Sequence, residues 1–537
     1  MQEIKWEEIP KEKFEFVQTD GGKTGEKPLS KPVGYFKDAW RRFCKNKGSL
    51  VAFGIIITLL LFALFAPIFS PYTVAYEDVY FRYNYPRNEL CVKMGLDFWD
   101  GCVKKQLNEV TFLQYKGIEK ETGKPIVKGG RYEMSVESGV RYYTFRQDTY
   151  HLVGCVLEKL TKEEYLSLQD YQNKTGVQML YPAVVKDKTL LQKYPQYAAD
   201  VNAWYQVKEE YLTGANGGIS TKKQLVPDVK RNTDGTVAFD EQGNVQFTPA
   251  YALYDGTDGY DSLRIEGETP RYSYAVQKSG GLYEVRLDYY EYYVYRHMRA
   301  GDGIEKPTFL FGTTQAGKDV FTCLASGARL SFLIAFGVSA VNMLVGLIYG
   351  SIEGYYGGKL DLVMERFSDI LSAVPFIIVI TLLKMHLGAR SQLTALFIAF
   401  FLTGWISMAS RVRMQFYRFK NQEYVLAART LGASDLRIMF KHILPNSIGT
   451  IITGSVLAIP AMIFSESSLS YLGIINLQTG NMTSVGNMLA GAQKYLTSYP
   501  YMTLFPALFI CLLMLSFNLL GNGLRDAFNP SLRGVEE

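Results

Sequence analysis

The chain has 537 residues, 48% of them apolar and 20% charged, with a formal net charge of +5. That length leaves room for more than one domain. With four histidines and no Cys/His cluster at metal spacing, a histidine-built zinc site is not expected, and the positive charge sits where membrane topology would put it rather than where nucleic acid would bind.

The apolar residues gather near residue 50 and again after 328, whereas about 72–306 is polar and rich in tyrosine. A hydrocarbon core about 30 Å thick takes a helix of roughly 20 apolar residues. After a hydrophilic segment, 1–48, the run 49–69 meets that length without a charge. It reads as an uncleaved anchor, because its leader is long and Ala66 is followed by Pro67 with no small-x-small cleavage site.

The stretch 72–306 is too long for a connection, so it is expected to fold as an inserted α+β domain. Strands are expected within 131–145, 236–247 and 282–295, with a turn at Glu241-Gln242-Gly243-Asn244. The run Thr161-Lys162-Glu163-Glu164 reads as a capping box opening a helix to about Asn173. The tyrosines suit a recognition surface or a small β core, and the core takes the larger share. Cys91 and Cys102 are placed to close a short loop as a disulfide on an oxidising side.

Five further runs, 330–350, 367–383, 392–410, 448–464 and 501–521, bring the count to six spans. The third carries Asp369 and Pro375, and proline is tolerated there only where neighbours satisfy the freed carbonyl. Gly346 and Gly350 form a small-xxx-small pair for close helix packing. Two polar residues stand inside spans: Glu466 is a candidate for a translocation path or outer gate, or else a carboxylate solvated at the membrane edge; Asn342 is a weaker candidate, suited to an interhelical hydrogen bond. Basic residues flank span one (Lys37, Arg41, Arg42, Lys45, Lys47), crowd 411–445 and recur in the tail 529–537 (Arg533), so both termini and that loop are expected in the cytoplasm and 72–306 outside.

Gly312-Thr-Thr-Gln-Ala-Gly317-Lys318-Asp319 misses the phosphate-binding loop at its last place, where Asp319 replaces the hydroxyl that holds magnesium. It is read as a chance match, so energy comes from another chain. The cytoplasmic loop is more telling. From Asn421 through Glu423, Tyr424, Leu426, Ala427, Ala428, Gly432, Ala433 and Ser434 to Leu444-Pro445, it reads as a helix capped by Asn421, a left-handed turn at Gly432 and a second helix capped by Ser434. The paired alanines leave a shallow face for another protein's groove. A DNA-reading helix-turn-helix shares this grammar, but spans within a few residues on both sides deny it a major groove.

That loop resembles the EAA loop of ABC-importer permeases, whose coupling helix docks on the ATPase, with one departure: Leu426 stands where the glutamate is usual. Phe311–Val320, Gly327–Ser331, Gly354-Tyr-Tyr-Gly-Gly358, Ser465–Gly473 and Phe517–Asp526 are similar to the C-type permease of the oligopeptide/dipeptide/nickel family, leaving 72–306 uncovered. The resemblance implies a mainly α, six-span type I importer permease with its core at 308–528, in a bacterial cytoplasmic membrane. It implies a second, homologous permease, two cytoplasmic ATPases and an outer peptide-binding protein as partners, with ATP and magnesium on the ATPases and neither cofactor nor catalysis on this chain. Nickel or another solute fits the same machinery. A surface receptor working through 72–306 would leave five spans unexplained. The inserted domain is expected to dock or position the binding protein.

Overall fold

The computed structural model describes residues 35–181, 205–213, 219–243, 245–246, 274–278, 280–387, 392–478 and 482–528. The expected tail 529–537, most of the leading segment, and Asn244 and Phe247 of the expected hairpin lie outside them.

An amphipathic helix, α1 (Tyr35–Lys45), precedes the first apolar one, α2 (Lys47–Phe69), which Asn46 caps by accepting from Ser49 N. Past α2 the chain climbs into the insertion, and the returning strand runs beside it. Thr313 N donates to Asn84 O at 3.0 Å and Arg87 N to Phe309 O at 3.0 Å. Gly317, at φ +74°, lies so close to the backbone of Asp78 that a Cβ there would stand 2.6 Å from the Asp78 carbonyl carbon. This stem accounts for the phosphate-loop look-alike. Lys318 is spent on Val74 O (2.9 Å) and Glu77 (3.2 Å), and Asp319 caps the next long helix by accepting from Thr322 N at 2.9 Å.

Above the stem lie α3 (Glu89–Lys93), β1 (Cys102–Asn108), α4 (Glu109–Thr122), β2 (Val127–Glu137) and β3 (Val140–Asp148). The three strands form an antiparallel sheet ordered β1-β3-β2. Ser138 and Gly139, both at positive φ, make the two-residue turn that divides the expected 131–145 run into a hairpin. A second, six-stranded sheet runs β5-β9-β4-β7-β6, with β8 also on β9: β4 (Cys155–Leu160), β5 (Leu180–Tyr181), β6 (Tyr205–Thr213), β7 (Ile219–Pro227), β8 (Ala275–Gln277) and β9 (Tyr283–Asp288). Its core joins Val156, Val285 and Leu287 to Tyr72, Tyr150 and Tyr293, so these tyrosines are interior. The bridge between Phe239 and Val245 sits where the small hairpin was expected.

The helix α5 (Lys162–Thr175) has the expected box: Glu164 N donates to Thr161 Oγ1 at 3.2 Å and Thr161 N to Glu164 Oε2 at 2.9 Å. Losing such a cap costs about 1 kcal/mol. Thr161→Ala is therefore expected to speed exchange of the first-turn amides of α5 about fivefold, read by hydrogen exchange on the full chain.

Two expectations fail here. The 282–295 strand stops at Asp288, whose carboxylate accepts from Tyr290 N and turns the rest into α6 (Tyr289–Ala300), with Tyr289, Tyr293 and His297 on its buried face. Alternation of tyrosines over so few residues does not separate strand from helix until the cap is recognised. Cys91 and Cys102 are not bonded: Cys91 lies in α3, and the Cys102 thiol faces the Asp100 carbonyl. Burial, with Asp148 and Asp100 nearby, pushes the Cys102 thiol up to about 12, keeping it protonated and unreactive.

The membrane-length helices follow as α7 (Val320–Tyr356), a bent pair α8 (Gly358–Ser372) and α9 (Phe376–Leu387), α10 (Gln392–Phe419, locally broken at Trp405), α12 (Asp435–Tyr471) after the short α11 (Glu423–Thr430), and α14 (Tyr501–Phe528) after the short α13 (Val485–Ala492). Among the described residues five helices are long and apolar enough to cross a membrane, six if the bent pair counts as one span. The doubtful third run is that pair, bent by 70° where Pro375 cannot continue the ladder. The helices α7 and α10 meet along a glycine stripe longer than expected. A Cβ on Gly346 would lie 2.7 Å from Met408 Cβ, on Gly350 2.9 Å from Ala409 Cα, and on Gly354 2.7 Å from Phe416 Cβ.

The insertion is fastened to this bundle by rings. Tyr83 stacks on Tyr499 at 4.5 Å, Tyr85 meets Tyr501 at 4.9 Å, and Phe311 stacks on Phe505 at 4.1 Å.

Candidate functional site

At the other end of the bundle, residues 420–445 leave the helices and return. The helix α11 begins at Gln422; the expected cap Asn421 stays outside, because Gln422 takes the extended cap conformation and its own amide turns back to Arg418 O at 3.4 Å. Gly432, at φ +80°, ends the helix as expected, with Gly432 N donating to Arg429 O at 3.0 Å and Ala433 N to Ala428 O at 3.1 Å. These paired bonds satisfy the last carbonyls of α11 in a form that glycine adopts without strain. Ser434 stands at the start of α12, but its side chain makes no cap bond.

The loop has two faces. Inward, Val425, Ile438, Met439 and Ile443 are buried against Val412, Phe416 and Ile451, with Ala433 and Leu444 packed on the same cluster. Outward stand Glu423, Tyr424, Leu426, Ala427, Leu431 (87% exposed) and Leu436, with Ala428 half-buried beside them. Leu426 therefore gives this face an apolar side chain where the family's glutamate was looked for. Burial raises the Tyr424 phenol above its usual range and lowers the Lys420 ammonium below its own. Pro445 is exposed and stands two residues past the end of a wide π-type turn, Ile438–Ile443. A proline ring would clash with the carbonyl one turn back, and the widened turn relieves that clash.

Beneath the loop lies a polar platform that sequence reasoning missed. Tyr355 Oη donates to Asp435 Oδ1 at 2.6 Å, Tyr356 Oη stands 3.5 Å from Oδ2, and Arg429 reaches Tyr355 Oη at 3.4 Å. Lys420 Nζ donates to Gly354 O at 3.0 Å. Arg413 forks onto Asp361 at 2.6 and 2.9 Å, reaches Glu365 at 2.8 Å and lies 3.5 Å from Glu353. One guanidinium thus ties α7, α8 and α10 together just under α11. The available signal was charge: Glu353, Asp361 and Glu365 close long apolar runs around the Gly-Tyr-Tyr-Gly-Gly stretch.

The two polar span residues lie far from this site. Glu466 is 1% exposed, so it is not a carboxylate solvated at the membrane edge. Ser331 donates to it at 3.0 Å and Ser470 at 3.1 Å, so hydroxyls from α7 and α12 supply what solvent would otherwise provide. Asn342 is buried and donates to Phe400 O at 3.3 Å, the interhelical bond expected of it. Among the described residues no group of His, Cys, Asp and Glu could hold a metal ion.

The architecture and the loop together define a multi-pass membrane permease subunit. Residues 342–534 match the family described as binding-protein-dependent transport system inner membrane component, and 34–86 match the N-terminal TM domain of oligopeptide transport permease C. The oligopeptide transport system permease protein OppC of Bacillus subtilis is 45% identical over 223 residues, 42% of this chain and 72% of that one. The dipeptide transport system permease protein DppC of the same organism is 41% identical over 42% of this chain and 69% of its own length, and the OppC of Escherichia coli 36% over 42% and 72%. The chain belongs to the OppC/DppC-like family of ABC transporter permeases, with a mainly helical membrane core and an inserted α+β domain. Such permeases work beside ATPase and binding-protein components. A chain of the MetNI methionine ABC transporter, in an inward-facing conformation, aligns at 14% identity over 38% of this chain and 94% of that one, with a TM-score of 0.32.

Proposed function

We propose that this chain is one of two homologous membrane halves of an ATP-driven importer of oligopeptides or dipeptides, set in a bacterial cytoplasmic membrane with its termini and the 420–445 loop inside and the insertion outside. The relatives' names support the peptide cargo. The observation that carries the coupling role is the two-faced loop: an apolar outer face on α11 and a hydrogen-bonded platform behind it. ATP and magnesium act on two partner ATPases, and this chain breaks no bond. When the ATPases close on their nucleotide, α11 moves with them. The Tyr355–Asp435 bond and the Arg413 fork pass that displacement to α7, α8 and α10, which tilt between inward- and outward-facing states. A loaded binding protein must favour one of those states if it is to drive the cycle. The insertion positions that protein, and its ring contacts with Tyr501 of α14 and with Tyr499 just before it support a fixed rather than tethered platform.

Ala428→Glu puts a charge against the ATPase groove, and Gly432→Asp strains a left-handed turn by about 1 kcal/mol while adding a charge. Each variant, purified through a tag in mild detergent, is expected to lose at least nine-tenths of its co-purifying ATPases while retaining the second permease. Unchanged ATPase recovery in both would remove the coupling role from this loop.

A further inference from the structure

Residues 89–98 of the insertion form a small loop that contains α3 and is closed at its base, where Asn88 N donates to Trp99 O at 2.7 Å and Arg87 bridges to Asp100. Three of its large apolar side chains, Leu90, Met94 and Phe98, stand four residues apart and are between 58% and 72% exposed. We infer that this loop is seated in the bilayer interface on the insertion's side of the membrane, with Leu90, Met94 and Phe98 among lipid acyl chains and Trp99 at their edge. The inference uses the membrane-spanning bundle and is independent of the cargo.

Trp99 sets the height of the loop. It holds a left-handed backbone, φ +54°, which side chains seldom adopt, and its ring lies nearly parallel to Phe505 (2°) and Phe311 (10°), with centroids 6.3 Å apart in each case. Phe311 meets Phe321 of α7 at 5.2 Å, and Phe321 meets Phe62 of α2 at 5.3 Å. One run of rings therefore joins the loop to α2, α7 and α14, as in the aromatic belts that form at membrane interfaces. The 28 residues of α14 make a helix about 42 Å long against a hydrocarbon core of about 30 Å, so about 6 Å projects at each end. Phe505, four residues into α14, lies about 6 Å from its start and so at the hydrocarbon edge. Phe98, next in sequence to Trp99, is exposed at that level, the depth at which interfacial segments bury their apolar side chains. The charges of the loop agree with this seat. Its two acids are drawn back into the insertion, Glu89 to Arg87 at 3.6 Å and Asp97 to Lys128 of β2 at 3.1 Å, while Lys93 is exposed with a stem long enough to carry its ammonium up to lipid phosphates.

The test places the complex purified through this chain in lipid nanodiscs, with Cys44, Cys91, Cys102 and Cys511 replaced by serine, the buried Cys155 and Cys323 retained, and a bimane attached through Met94→Cys. A phospholipid carrying a nitroxide high on its acyl chain is expected to cut the bimane emission about twofold, while iodide in the buffer quenches it about fivefold less than it quenches free bimane. Adding Leu90→Asp and Phe98→Asp, which bring charge to an apolar boundary, is expected to abolish the lipid quenching and raise iodide quenching to about the free-dye level, in a complex that still assembles. Free access of iodide to the unmodified loop, with no effect of the lipid nitroxide, places the loop in water and overturns the seat. Access by neither quencher puts protein over the loop, and shielding that appears only once the binding protein is added makes the loop a docking surface for that protein; either result overturns the lipid assignment.

Discussion

Gly350→Leu is expected to leave little folded chain in the membrane. Gly350 faces the backbone of Ala409, with Gly346 and Gly354 holding the turns on either side against Met408 and Phe416. A flexible neighbour could give way to a new side chain, but backbone in a second long helix cannot, so α7 and α10 must part. Overpacking a core costs about 1–3 kcal/mol where side chains can adjust, and this site belongs above that range. The helices that part also carry the platform under the coupling loop, so loss of packing becomes loss of function. Fluorescence-detected size exclusion of detergent extracts is expected to show a monodisperse peak reduced at least tenfold. Gly54→Leu, at a helical glycine with no atom within 4 Å of its added Cβ, is the control and is expected to behave as wild type.

Arg413→Ala is expected to be the most damaging single loss of charge. Arg413 is about one-fifth exposed and is the shared ion-pair partner of Asp361, Glu353 and Glu365, three acids from two helices. Removing one partner of a buried pair costs about 3–5 kcal/mol because the other charge is stranded; partial exposure of Glu365 puts this case near about 3 kcal/mol. The midpoint of thermal inactivation is expected to fall by several degrees, and ATP hydrolysis by the complex to lose its response to peptide. Arg413→Lys keeps the charge but not the two-pronged geometry on Asp361, so it is expected to recover stability more fully than coupling. Equal recovery of both would mean that the fork only stabilises the bundle.

The spans and the coupling turn were legible in the sequence because each rests on local chemistry. A run of apolar residues has to reach bilayer length, and Gly432 marks the left-handed turn wherever the partner lies. The capping box at Thr161 was legible for the same reason. What escaped was set by distant residues. Tyr355 and Asp435 are 80 positions apart and Arg413 lies 52 from Asp361, so no local pattern pairs them. The partners of Glu466 escaped for the same reason: a carboxylate in an apolar run signals only that something must satisfy it, and Ser331 lies 135 residues earlier. The reach of α6 turned on one cap, Asp288, against a run of tyrosines compatible with either strand or helix.

The most direct measurement is ATP-driven accumulation of radiolabelled trialanine in vesicles, by the complex purified through this chain and supplied with its binding protein. The expected result is uptake above the equilibrium level that needs ATP and vanishes in Gly432→Asp, whose spans remain intact. A chain that purifies without ATPases, or a Gly432→Asp complex that accumulates peptide as wild type does, would contradict the assignment of this loop as the joint through which ATP moves the permease.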